Sequence, residues 1–302
     1  MSLRETILRH SAIVKGLRIS AATLKEIEAY LEKEAEMQEY HFKTSARTFQ
    51  RDMEDIRSCY YINIQYDKSK RKYFIDNSGS EELNSRMLDA FETFNALKVS
   101  TGLAEHLDFE KRKSAGLDNL HGFLHAIKNR LQLNFNYHSF WQDETYLRKT
   151  NPYLLKEFKS RWYLIARDLK DEAVKTYALD RITDIDITKK KYDFPSGYNP
   201  KEKFQHSFGI ISSVHDSVPE KVVLSFSPYQ GKYIKTLPLH HSQQILIDNE
   251  EEFRIQLKIY IAFDFVKELI SFGDDLKILE PLSLRVQVSE VHRKAFEQYV
   301  TA

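Results

Sequence analysis

Apolar residues recur at Leu24, Ile27 and Leu31, three and four positions apart, while acids fill the opposite positions through Glu39. That spacing predicts an amphipathic helix with a solvated acidic face. Beyond His41-Phe42-Lys43, Thr44 and Ser45 offer an N-cap to a second helix over 46–58. Its faces separate: Phe49, Met53 and Ile56 project inward, and Arg47, Gln50, Arg51 and Glu54 project from the other side. Basic and amide side chains near the start of such a helix can reach base edges or phosphates. The bland alternative is surface pairing of Arg47 and Arg51 with Asp55 and Glu54, worth about 0.2–0.5 kcal/mol a pair. Residues 61–66 then alternate as a strand, 67–70 form a polar turn, and 71–75 return as a second strand, a hairpin with a basic tip.

A helical period covers 81–103 through Leu83, Met87, Ala90, Phe91, Phe94 and Leu97, followed by a charged loop over 108–118 and a helix over 120–129. Strict alternation over 131–137 predicts a strand, and further strands follow at 146–150, 161–168, 175–179 and 185–187. Five short strands in this order suit a small barrel. After a Pro-, Gly- and His-marked stretch over 194–217, a strand at 222–226 and a helix over 228–237 precede a turn at Asp248-Asn249-Glu250. Next, Phe253, Ile255, Leu257, Ile259 and Ile261 share one strand face, a helix over 265–272 stops at Gly273, and a strand over 276–279 ends at Pro281. The order βαββαβ is ferredoxin-like, and the fold class is α+β.

With 302 residues, 42% of them apolar, the chain suits two or three domains, each with its own core. The net charge of +1 gives no global sign of a nucleic-acid binder, so any such surface must be local. One exists: from Lys43 to Tyr73 there are eight basic and four acidic residues. The single cysteine, Cys59, excludes an internal disulfide framework and fits a reducing compartment. Without a long apolar run or a leader pattern at the start, the expected location is the cytoplasm and no membrane partner is expected. His121 and His125 have metal-compatible spacing but no third ligand nearby, His240-His241 reads as a surface turn, and Cys59 as a packing residue. No Gly-rich phosphate loop or Gly-x-Ser-x-Gly elbow occurs, so no metal, cofactor or catalytic residue is expected.

The segment Arg161-Trp162-Tyr163-Leu164, with Asp180-Arg181-Ile182 downstream, resembles the WYL domain, named for its Trp-Tyr-Leu tripeptide. Ser45-Ala46-Arg47-Thr48-Phe49-Gln50-Arg51-Asp52 is similar to the Ser-x-Arg-Thr-x-x-Arg-Asp motif that opens the recognition helix of many WYL-domain regulators. Ser271-Phe272-Gly273 and Glu280-Pro281 resemble elements of the extension, WCX, that follows such domains. The resemblance implies a winged helix-turn-helix over 1–80, a helical linker over 81–118, an Sm-like WYL barrel over 119–205 and a dimerising WCX domain over 206–302. Its partners would be promoter or operator duplex DNA, a nucleotide or single-stranded nucleic acid effector, and a second copy of the chain. Thr44, Ser45, Arg47, Thr48, Gln50 and Arg51 would meet the duplex, with Lys68, Lys70 and Arg71 at the wing. The effector set carried over from the family is Tyr137, His138, Arg148, Tyr163, Arg167 and Arg181, with Trp162 and Leu164 turned into the core. Guanidinium forks suit phosphate and tyrosines offer stacking faces. Taken singly, Arg181 can equally tie down Asp180 or a carbonyl, and Tyr137 and Tyr163 can be core. Lys175 stands where relatives often carry arginine, and Ala178 where a basic residue is frequent, so charge is thinner than the family pattern. A single-strand sensor without promoter-specific duplex binding is the alternative.

Overall fold

The computed structural model describes residues 3–38, 45–76, 90, 116–212 and 218–300. The chain divides into two compact units, Met1–Glu110 and Lys111–Ala302. Thr44, the expected helix over 81–103 apart from Ala90, and most of the loop over 108–118 lie outside the described residues.

The first unit contains α1 (Leu3–Ile19), α2 (Leu24–Gln38), α3 (Ala46–Tyr60) and a hairpin of β1 (Ile64–Asp67) and β2 (Lys72–Ile75). The pattern of the sequence did not announce α1, because Arg9 and His10 sit inside its buried face beside Leu8, Ala12, Ile13 and Leu17. A reciprocal cap opens α2: the Glu26 N–H donates to Thr23 Oγ1 at 3.3 Å and the Thr23 N–H to Glu26 Oε2 at 2.6 Å. At the other boundary the expectation fails by three residues. Tyr61 takes the left-handed conformation, φ 56°, and its N–H donates to the Arg57 carbonyl, so it closes α3 and the strand starts only at Ile64. Asp67 Oδ1 fastens the hairpin turn by accepting from Ser69 N–H at 2.8 Å and Lys70 N–H at 3.2 Å. Paired hydrogen bonds between Ala22 and Tyr73, 3.0 and 2.7 Å, tie β2 to the α1–α2 connection. Phe49 and Ile56 of α3 complete a core with Leu17, Ile27, Leu31 and Ile62.

In the second unit, α4 (Leu120–Asn129) leads into β3 (Leu131–Ser139), β4 (Glu144–Phe158), β5 (Arg161–Asp168), β6 (Val174–Ala178), a 3-10 turn (Leu179–Arg181) and β7 (Ile182–Lys191). These strands form one antiparallel sheet in the order β6-β5-β4-β3-β7. Among the described residues no pairing joins β6 to β7, so the expected closed barrel is an open sheet by its hydrogen bonds. β4 is also longer than the alternation foretold: it runs through Pro152, and a register shift between Pro152 and Leu154 absorbs the missing donor. Phe123 and Ala126 of α4 cover one face with Leu133, Phe135, Leu164 and Ala166. Behind the sheet Tyr163, Ile165 and Ala178 pack on Phe204.

The remainder reads β8 (Glu220–Phe226), α5 (Pro228–Thr236), β9 (Gln244–Asp248), β10 (Phe253–Ile259), α6 (Phe263–Ile270), β11 (Leu276–Glu280) and α7 (Leu282–Val300). Sheet order is β11-β8-β10-β9. Alternation puts Val222, Leu224, Phe226, Phe253, Ile255, Leu257 and Ile259 on one face, which α6 covers with Phe265, Val266 and Leu269. Each such side chain fully buried contributes about 1.5–3 kcal/mol. α5 lies so close to β10 that a Cβ on Gly231 would stand 2.3 Å from Phe253 Cβ. Helix α7 was not anticipated; only Leu284 and Val288 on it are buried, too short a stripe to register as a period. Asp264 joins the two halves of this unit by accepting from the N–H groups of Ile210 at 2.9 Å and Ile211 at 3.2 Å.

Candidate functional site

Directly opposed residues of an antiparallel sheet share a face. The registers Tyr137↔Tyr146, Phe135↔Arg148, Thr150↔Asp168, Ala166↔Lys175 and Leu164↔Tyr177 therefore bring Tyr137, Tyr146, Arg148, Asp168, Lys175 and Tyr177 to one face. Asp168 is its centre, only 1% exposed although ionisable. Its Oδ2 accepts from Tyr177 Oη at 2.8 Å, Lys175 Nζ at 3.0 Å and Arg148 Nη1 at 3.3 Å, and Oδ1 accepts from the Lys170 N–H at 2.9 Å. Burial pushes the Asp168 carboxyl up, but the Lys170 N–H, Lys175 and Tyr177 together outweigh it and hold the group below its ordinary range. Burial, reinforced by the bond to Asp168, drives the Tyr177 phenol well above its ordinary value. For Lys175, burial works downward, yet hydrogen bonds to Asp171 and Asp168 leave its ammonium raised. All of these groups keep their charge states at neutral pH.

Aromatic rings pack around the cations. The guanidinium of Arg148 lies 5.1 Å from the Tyr146 ring centroid, and that of Arg181 lies 4.2 Å from Phe140 and 6.0 Å from Tyr137. Tyr137 in turn meets Tyr177 edge-on at 5.0 Å. Asp180 pairs with Arg161 at 3.5 Å, and Arg181 has no ion-pair partner among the described residues. The buried Nε of Arg148 and that of Arg181 likewise lack a hydrogen-bond partner among the described residues. Leaving such donors unmet is costly. The arrangement suits a ligand that carries an oxyanion and a planar ring.

Of the six residues expected to meet an effector, Tyr137, Arg148 and Arg181 come together. His138 alternates with Tyr137 on β3 and so points to the opposite face, 3.3 Å from Thr145 Oγ1 and 5.5 Å from the Phe140 ring. Tyr163 and Arg167 alternate with Leu164, Ala166 and Asp168 on β5 and so belong to the opposite face, where Tyr163 is buried and Arg167 pairs with Glu172. Leu164 is in the core as expected, with Trp162 packed against it half-buried. Asp168, Lys175, Tyr177, Tyr146 and Phe140 were absent from the expected set. A signal existed for three of them: Asp168 continues the apolar series Trp162, Leu164, Ala166, and Lys175 and Tyr177 sit two apart on the neighbouring strand.

In the first unit, Ser45 caps α3, accepting from the Thr48 N–H at 3.2 Å with its hydroxyl 3.0 Å from Thr48 Oγ1. Arg47, Gln50 and Arg51 are exposed, as are Lys68, Lys70 and Arg71 at the hairpin turn, and Thr48 is half-buried. Neither Arg47 nor Arg51 has an ion pair with Glu54 or Asp55, so the bland surface-pairing alternative is not realised. His121 and His125 are exposed, and His125 Nδ1 meets Asn129 Nδ2 at 3.2 Å. Two smaller expectations are corrected: Cys59 is exposed, because it falls on the outer side of α3, and His240 is buried, hydrogen-bonded to Ser242 at 2.8 Å, because the turn folds inward. No helix among the described residues is long and apolar enough to cross a membrane.

Among curated proteins, the chain is similar to an uncharacterized HTH-type transcriptional regulator, YobV, of Bacillus subtilis (strain 168), 28% identical over 170 residues. The match takes in 55% of this chain and 50% of the relative, so the chain spans about half the length of that protein. Among solved structures, proteasome accessory factor B/C (PafBC) of Arthrobacter aurescens is 17% identical with a TM-score of 0.34, over 94% of this chain and 45% of that one. A CRISPR Cas-related protein is 13% identical with a TM-score of 0.40, over 98% of this chain and 86% of that one. Family models match twice, the WYL domain over residues 118–187 and the WCX domain over residues 219–296. The strands that build the charged face thus lie in a segment that matches the WYL domain, and the βαββαβ segment that follows matches the WCX domain.

Proposed function

We propose that this chain is an effector-responsive transcription regulator whose first unit binds duplex DNA and whose WYL domain senses a nucleotide or single-stranded nucleic acid. The observation that carries the reading is the WYL face itself, where Arg148 and Arg181 lie over aromatic rings and their two buried guanidinium Nε groups have no partner among the described residues. The name of the curated relative, an HTH-type transcriptional regulator, supports the DNA half, as do the exposed Arg47, Gln50 and Arg51 on α3 and the basic hairpin turn. In finer terms, the first 80 residues read as a winged helix-turn-helix, 119–205 as an Sm-like fold left open between β6 and β7, and 206–302 as a ferredoxin-like dimerisation domain. A two-fold dimer would present two recognition helices to a palindromic site. The chain acts without catalysis, metal or cofactor, in the cytoplasm. By linkage, an effector alters operator affinity only if it binds the DNA-competent and incompetent arrangements unequally.

The deciding experiment is titration of the purified chain against its own upstream promoter duplex across a salt series, with a scrambled duplex as control. Selective binding is expected, and Arg47→Ala with Arg51→Ala should weaken it and shallow the salt slope by about 2. Arg148→Ala and Arg181→Ala should abolish the effector response while duplex binding persists. Unchanged promoter affinity in the first pair removes the DNA mechanism, and an unchanged response in the second removes the effector site.

A further inference from the structure

The recognition motif ends in Asp52, which duplex contact does not explain: it is 0% exposed, on the opposite side of α3 from Arg47, Gln50 and Arg51. Arg9 of α1, equally buried, grips it with a planar fork, Nε to Oδ2 at 2.7 Å and Nη2 to Oδ1 at 2.8 Å. His10 Nε2 adds a contact to Oδ1 at 3.2 Å, and His10 is itself 3% exposed. His10, Asp52 and Asp55 bring ligand atoms within 4.8 Å of one another, a grouping that could suggest a cation site. The Arg9 guanidinium, however, already takes both Asp52 oxygens and supplies the positive charge there. Burial pushes the Asp52 carboxyl up, and Arg9 and His10 more than reverse it, so the carboxyl is held below its ordinary range.

We infer that Arg9 and Asp52 are positioning residues that fix the roll of α3 about its own axis, and with it the register of Arg47, Gln50 and Arg51 on DNA. The inference rests on the duplex-binding reading above. Phe49 and Ile56 also hold α3, but apolar packing is non-directional, whereas a bidentate guanidinium–carboxylate fork is planar and tolerates little rotation. With side chains a helix is about 5–6 Å in radius, so a roll of about 20° moves a contacting head by about 2 Å, enough to break a hydrogen bond to a base edge. Buried ion pairs seldom stabilise more than apolar side chains of like volume. A fork retained beside the apolar core of this unit is therefore better explained by direction than by stability.

The test compares the full chain with Arg9→Met/Asp52→Leu, an apolar replacement of both partners, and with Arg9→Lys, which keeps the charge and loses the fork. Spin labels at Lys25→Cys and Glu54→Cys in a Cys59→Ser background report the placement of α3 without DNA. Fluorescence anisotropy gives the ratio of promoter to scrambled-duplex affinity, and hydrogen exchange shows whether α3 stays folded. Expected are a protected α3, a broadened label distance and a promoter-to-scrambled ratio at least tenfold lower, with scrambled-duplex affinity nearly unchanged because the phosphate contacts survive. Should the double variant fail to protect α3, the Arg9→Lys chain carries the same comparison. A protected helix with an unbroadened distance and an unchanged ratio overturns the inference. If the unsubstituted chain shows no promoter selectivity, the duplex-binding reading fails, and the label distance alone still decides whether the fork sets the roll.

Discussion

Replacing Asp168 by asparagine tests whether one carboxylate holds the WYL face together. Asp168→Asn keeps the shape but removes the charge that faces Arg148, Lys175 and Tyr177. Hydrogen bonds to charged groups contribute about 1.5–3 kcal/mol each, and stripping one partner from a fully buried ion pair costs about 3–5 kcal/mol. The cations here are not fully buried: the Lys175 side chain is 33% exposed and that of Arg148 18%, so water recovers part of the loss. A net cost of about 2 kcal/mol follows, which in a unit of this size lowers Tm by roughly 4–8 °C. Both tryptophans, Trp141 and Trp162, lie in the second unit, so tryptophan fluorescence during thermal or urea unfolding follows that unit alone. The folded carboxyl lies below its unfolded value, so its stabilisation is complete above the unfolded pKa of about 3.9 and is lost as pH falls through the folded value. The gap between the two chains should be full at neutral pH and narrow in acid. A gap below about 0.5 kcal/mol at neutral pH, the range of ordinary surface substitutions, would refute the reasoning. So would a gap that widens in acid.

His240 is depressed to about 4, by burial first and by the neighbouring His241 second, so it stays neutral in the fold while the unfolded chain protonates near 6.5. Stability should therefore fall between about pH 6.5 and 4, by roughly 2–3 kcal/mol in total, and His240→Gln should flatten that slope in urea titrations. Gly231→Ala should destabilise the WCX domain by about 1–3 kcal/mol, since the added Cβ meets Phe253 at 2.3 Å; an unchanged urea midpoint would mean that α5 can lift away from β10. Tyr177→Phe should cost about 1 kcal/mol, read by the same fluorescence unfolding, because Asp168 loses one donor and keeps three.

Local pattern was enough to place most elements. The dense apolar run Trp162-Tyr163-Leu164-Ile165-Ala166 pointed to a strand over about 161–168 and the sequence to a helix over about 120–129, and β5 and α4 stand there. Helices α1 and α7 escaped for opposite reasons. The buried face of α1 contains Arg9 and His10, whose burial makes sense only once Asp52, more than forty positions away, is folded against them. That of α7 is only two residues deep. At the site, residue types and the family resemblance pointed to Tyr137, Arg148 and Arg181, which the structure brings together. They could not separate these from Tyr163 and Arg167, because a two-residue period says which side chains share a face of one strand and not which face meets the neighbouring strand. Strand register decided that, setting Asp168 opposite Thr150 and Lys175 opposite Ala166, so that one buried carboxylate became the hub of the face. Periodicity is a property of the local chain; the pairing of charges across it exists only after distant strands have been laid side by side.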